Sequence, residues 1–172
     1  MNSPYMGNFK VTQCRTSTHD GLDLVGIDSK EIHSTVNGIV QFAGWENEDN
    51  QKQGFGQFVC ILDRQTKLFY YFGHLSEIRV KTGDSVKITD VIGVEGDTGY
   101  SFGSHCHYCV RPKFQAGLSE DVCKLSGIPN TLGTYNDGYN PNKTTTTTTK
   151  TNTISAILEI NGHKYSGLLE EM

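Results

Sequence analysis

The sequence predicts an all-β fold with one short helix and a C-terminal β-hairpin. Short apolar runs rich in aromatic and β-branched residues recur between polar, glycine-rich turns, the pattern of strands. Few segments repeat their apolar residues at the helical period. Near the C-terminus, Asn161-Gly162 stands between two apolar runs, a strong two-residue hairpin signal.

The elements follow in chain order. Asp23 lies four residues after His19 across Gly21, so STHDGLDL reads as a turn entering a strand and not as a helix. IHSTVNGIVQFAGW, GFGQFVCILD, KLFYYFGHL, SVKITDVIGVEG and HCHYCVRP then give one or two strands apiece. In the last of these, alternation places His105, His107 and Cys109 on one face and Cys106, Tyr108 and Val110 on the other. GWENEDNQKQGFG and EGDTGYSFGSH are polar, glycine-rich turns, expected to be groove walls on a rigid scaffold. The helix is expected in LSEDVCKLSGIPN, with Ser119 as N-cap, Glu120 and Asp121 in the first turn and a stop at Gly127 ahead of Pro129.

Composition then shifts. TYNDGYNPNKTTTTTTKTNT holds too few apolar residues to pack and reads as a linker. The expected organisation is a domain over 1–135, a Thr-rich linker over 136–153 and a small hairpin over 154–172. An isolated hairpin is marginal in water. This one needs a partner: its own copies in a homo-oligomer, which its exposed edges favour, the larger domain, or a cell wall.

Five side chains carry the chemistry: His19 and Asp23 in HDGLD, His74 in YYFGHLS, and His105 and His107 in SHCHYC. A catalytic zinc site takes three protein ligands from His nitrogens and carboxylate oxygens and keeps a further position open for water. Two histidines and a carboxylate meet that need. Two histidines remain to move protons to and from the water and the leaving group.

HDGLD, GHLS, GDTG and SHCHYCVR, in that order, resemble the lysostaphin-like (LytM-type) M23 metallopeptidases over roughly Gly7 to Arg111. The resemblance implies a LytM/lysostaphin-like catalytic domain, built mainly of antiparallel sheet, with one Zn2+ per chain, held by His19, Asp23 and His107. It implies His74 and His105 as catalytic residues beside the ion. The implied activity is endopeptidase cleavage of bacterial peptidoglycan, in stem peptide or cross-bridge. Two positions depart from the family's HLHFE: Cys106 stands for an apolar residue, and Cys109 for an acid that could orient a ligand histidine. An inactive relative that binds peptidoglycan or activates another hydrolase is the alternative, but the five motif residues are all present. KTGDSVKITDVIGVEGDTG also resembles half of a biotinyl or lipoyl carrier, yet the lysine motif of a carrier is absent.

The remaining features bound the function. A net charge of -4 argues against a nucleic-acid partner. No apolar run reaches the roughly 18 residues that a membrane span needs. MNSPYMGNFKVTQ has neither the basic nor the apolar region of a signal peptide, and five cysteines at irregular spacing suit reduced thiols. The expectation is a phage endolysin made in the host cytoplasm, reaching the wall after holin-type release. Cys14, Cys60 and Cys123 are expected to pack, and His33 and His163 to have no chemical role.

Overall fold

The computed structural model describes residues 2–137 and the two strands 154–160 and 163–169. Eleven strands and one helix make up the first part: β1 (Asn8–Gln13), β2 (Leu22–Gly26), β3 (Glu31–His33), β4 (Gly38–Trp45), β5 (Gln57–Asp63), β6 (Phe69–Gly73), β7 (Glu77–Ile78), β8 (Ser85–Val86), β9 (Val91–Val94), β10 (Cys106–Arg111), α1 (Val122–Ser126) and β11 (Gly133–Asn136).

Eight strands form one sheet in the order β11-β1-β2-β10-β6-β5-β4-β8, and β3-β9-β7 form a second. Neighbours are antiparallel throughout. The order is not that of the chain, because β10 returns to lie between β2 and β6. That return decides the function of the sheet: it pairs His107 with Asp23 on one side and with Gly73 on the other.

Alternation along the central strands sorts side chains between two cores. One face buries Leu22, Leu24, Val59, Ile61, Phe72, Cys106, Tyr108 and Val110 against Tyr5, Ile32, Leu75 and Ile92. The other buries Phe58, Cys60, Tyr71 and Cys109 under Phe42, Phe55, Phe69 and Phe114. The second core is small and aromatic, with Phe42 stacked on Phe58 at 4.5 Å and Phe55 on Tyr71 at 5.6 Å. Cys106 is fully buried, as a small hydrophobe on that face should be. Cys60 is buried too, while Cys14 and Cys123 pack at the edge of the larger core. His33 is a satisfied core residue whose Nδ1–H donates to the Thr89 carbonyl at 2.9 Å.

The helix is shorter than expected and begins later. Asp121, not Ser119, is its N-cap, accepting from the amides of Cys123 and Lys124, and Gly127 closes it at φ 74°, in the left-handed region that glycine tolerates. Ser119 is diverted because its hydroxyl donates to Asp20 at 2.6 Å. β11 carries the first part of the chain one residue into the expected linker, to Asn136; within it Tyr135 pairs with Phe9 and packs its ring 6.1 Å from it.

The linker expected over 136–153 lies outside the described residues except for Asn136 and Asp137. In the second part, β12 (Ile154–Ile160) and β13 (His163–Leu169) pair antiparallel from Ile154–Leu169 to Ile160–His163. The Asn161-Gly162 turn and the side chain of His163 lie outside the described residues.

Candidate metal centre and its groove

The loop that enters β2 turns on Thr16, whose Oγ1 accepts from the amides of Thr18 and His19 at 3.2 and 3.0 Å. This sets His19 over the start of the strand. Its Nδ1–H donates to the Cys14 carbonyl at 3.0 Å, and its Nε2 turns to Asp23 Oδ1 at 3.1 Å. Gly21 allows the close approach of this loop to β10. A Cβ there would stand 2.6 Å from the Tyr108 carbonyl oxygen and 2.8 Å from His107 Nε2.

His107 brings its Nδ1 to the same Asp23 oxygen at 2.9 Å. His19, Asp23 and His107 thus offer three ligand atoms that lie within 4.8 Å of one another. The chemistry of this set fits a divalent cation. A single carboxylate oxygen faces two imidazole nitrogens, and the opposite nitrogen of each ring points to an oxygen, Cys14 O for His19 and Asp20 Oδ1 at 3.1 Å for His107. Outward hydrogen bonds of this kind fix ring orientation and leave the inward nitrogen for a metal.

Charge is distributed accordingly. Burial opposes ionisation of Asp23, but hydrogen bonds from His107 and His19 outweigh it and hold the carboxyl well below the usual range. Burial likewise opposes a charge on His107, and Asp20 and Asp23 overcome it, pushing its pKa well up. Those protons occupy the places that an ion would take.

His74 and His105 flank the cluster. Their rings lie 4.6 Å apart, and His105 Nε2 is 3.5 Å from Asp23 Oδ1. The Nδ1–H of His105 donates to the Gly103 carbonyl at 2.7 Å, so its Nε2 also points inward. His74 has φ 62°, a left-handed conformation uncommon for a non-glycine residue and frequent at functional sites. Its amide donates to the Phe55 carbonyl at 2.8 Å and its Nδ1–H to the Thr98 carbonyl at 2.7 Å. Burial, reinforced by His105, lowers the His74 pKa to about 4, so the ring is neutral at pH 7.

The five residues lie in a groove of about 760 Å³ whose walls include Glu46, Gly54 and Phe55 from one loop and Tyr100, Ser101, Phe102 and Gly103 from another. The two expected groove-wall segments are therefore the walls. They are pinned together at Gly56 (φ 63°) and Gly99 (φ 77°), where a Cβ on Gly99 would stand 2.3 Å from the Gly56 nitrogen.

The five motif residues come together in this groove, and Asp20, Thr98, Arg111 and Ser119, which the motifs do not single out, make the contacts around them. Asp20 had a signal, a carboxylate inside HDGLD. Ser119 had none, since its contact spans 99 residues.

Residues 17–117 match the model of peptidase family M23, well over half of the chain, and the chain belongs to that family. It is 28% identical over 131 residues to the glycyl-glycine endopeptidase ALE-1 of Staphylococcus capitis, an alignment covering 73% of this chain and 35% of that protein. Among solved structures, lysostaphin of Staphylococcus simulans superposes with a TM-score of 0.58 at 26% identity, covering 69% of this chain and 48% of that one. The catalytic domain of the prophage-encoded M23 protein EnpA of Enterococcus faecalis gives a TM-score of 0.58 at 25% identity, over 70% of this chain and 94% of that domain. The chain spans about a third or less of the length of the first curated relatives it matches.

Proposed function

We propose that this protein is a zinc-dependent endopeptidase that hydrolyses peptide bonds of bacterial peptidoglycan as a phage-type cell-wall lysin. The observation that carries the reading is the convergence of His19, Asp23 and His107 on one point, with the inward nitrogen of His105 beside it, at the floor of an open groove. A relative named as a glycyl-glycine endopeptidase supports the substrate class, and a prophage-encoded neighbour supports the phage-type role. The corresponding route is synthesis in a host cytoplasm and release to the wall through a holin lesion.

Zinc held by His19, Asp23 and His107 would supply Lewis acidity, polarising a peptide carbonyl and acidifying a water. The chain's own residues supply the proton traffic. His74, neutral and with its Nδ1–H tied to Thr98, presents an unprotonated Nε2 that can take a proton. His105, its Nδ1 tied to Gly103, faces the same space and can return a proton to the leaving amine or donate to the developing oxyanion. The groove walls hold an extended peptide across this pair.

The test is zinc content and wall lysis, measured in parallel for the parent and His107→Ala. About one zinc per chain with lysis in the parent, and neither in the variant, is the expected result. Zinc without fragments from walls of several cross-bridge types leaves a wall-binding module instead. A parent that retains no zinc overturns the metal reading.

A further inference from the structure

We propose that Asp20 is a positioning residue for the metal centre, fixing His107 through its Nε2–H so that Nδ1 is presented as the ligand atom. The proposal rests on the zinc reading above. The family's acid at the position of Cys109 is absent here, and on sequence alone that change removes a partner for a ligand histidine. Asp20, which lies beside Cys109 at the same end of the His107 ring, supplies the carboxylate there.

The two carboxylate oxygens of Asp20 have separate tasks. Oδ2 accepts from Arg111 Nε at 3.3 Å, from the second guanidinium nitrogen at 2.8 Å and from Ser119 Oγ at 2.6 Å. Oδ1 meets His107 Nε2 at 3.1 Å. Three donors thus hold one oxygen and aim the other at the imidazole. Arg111 is itself held, with Cζ 5.3 Å from the ring centres of both Phe55 and Tyr71, and β10 places it on the same face as His107. Gly21 brings the loop carrying Asp20 against this strand.

A carboxylate accepts and does not donate, so Asp20 selects the form of His107 that carries its proton on Nε2. The lone pair on Nδ1 is then directed at the point shared with His19 and Asp23. Asp20, His107 and Cys109 also bring ligand atoms within 4.8 Å of one another, but the Arg111 guanidinium already balances the Asp20 charge, which suits an orienting network better than a second ion.

Two measurements test this. Zinc affinity by chelator competition is compared in the parent, Asp20→Ala, Asp20→Asn and Ser119→Ala, with melting in excess chelator as the control for folding. Loss of an orienting partner typically weakens metal affinity about 10–100-fold. That loss is expected for Asp20→Ala, with smaller losses for Asp20→Asn, whose amide oxygen still accepts, and for Ser119→Ala. Nitrogen-15 imidazole spectra of the zinc-loaded parent, free of any folding defect from substitution, are expected to show His107 protonated at Nε2 with a slowly exchanging proton. Affinities within twofold of the parent for all variants, or a His107 metallated at Nε2, overturn the proposal. A parent that binds no zinc is seen before any variant is made and overturns the metal reading as well.

Discussion

The carbonyl of Thr98 accepts the Nδ1–H of His74 at 2.7 Å across 24 residues of sequence, and this one bond determines which nitrogen His74 offers to the groove. Thr98 is itself clamped: its Oγ1 donates to the Leu75 carbonyl at 2.9 Å and accepts from the Gln57 amide at 3.0 Å. His74 is thereby held from behind by a residue of the GDTG loop that does not line the groove.

His74→Ala is expected to lower kcat by about 10²–10⁴-fold, the usual contribution of a general acid or base, while zinc content stays at the parent value. Thr98→Val is expected to act in the same direction more weakly and to cost about 1 kcal/mol of stability, since it strips two partners from a half-buried clamp. Steady-state kinetics on a soluble cross-bridge peptide, with metal analysis of the same samples, check both. Zinc lost from His74→Ala would move that residue from proton transfer to ligation.

Gly21 makes a second prediction. The neighbours of its missing Cβ are a backbone carbonyl and a ring that cannot retreat without leaving Asp20 or Asp23. Gly21→Ala is therefore expected to destabilise the fold by roughly 1–3 kcal/mol, as overpacking does, and to lower zinc occupancy. Equilibrium urea unfolding and metal analysis read the two effects, and a variant with parental stability and full zinc would show that the loop is free to move.

What is legible in the sequence depends on the range of the interaction. Alternation in HCHYCV placed His107 and Cys109 on the same face, and Cys106 on the larger core, because strand geometry is local. The five motif residues stand out in the sequence because their types and order are those of metal chemistry, and the fold brings them to one groove. The helix starts at Asp121 and not at Ser119 because Ser119 has a distant competitor, Asp20, that no local capping rule contains. β11 is not legible as a strand because GTYN has only one apolar side chain, and pairing with β1 is what makes it one. The loss of an acid at Cys109 looked like a loss of orientation, since proximity in space between Asp20 and His107 is not written in their 87-residue separation.

Glu95 gives a pH prediction away from the metal centre. Its side chain is fully buried, which opposes ionisation, yet Lys30, Tyr5, Ser104 and the Gly26 amide all donate to it and hold its carboxyl below the ordinary range. A carboxyl with a depressed folded pKa contributes stability that is complete above its unfolded value of about 4.3 and is lost as pH falls through the lower, folded value. Urea midpoints should therefore hold steady down to about pH 5 and then fall. Glu95→Gln is expected to be less stable at neutral pH, by on the order of 2–3 kcal/mol for lost charged hydrogen bonds, and to fall less steeply in acid. Parallel acid profiles for parent and variant would assign the acid loss to other carboxylates, such as Asp63.

The groove wall gives the last prediction. Phe102 is 89% exposed and Tyr100 69% exposed, and their rings meet edge to face at 5.1 Å on the rim of the groove. Such a pair buries little in the free chain, so Phe102→Ala should leave stability within about 0.5 kcal/mol of the parent. Large exposed aromatics beside a site gain their contacts only when something covers them. If peptidoglycan lies against this rim, the variant loses about 0.5–1.5 kcal/mol of aromatic contact, a rise in KM of roughly 2–12-fold. With the contact distant from the reacting bond and made equally in ground and transition states, kcat stays unchanged. Initial rates over a range of substrate concentrations separate the two constants. A fall in kcat at constant KM would instead mean that Phe102 shapes the loop carrying His105.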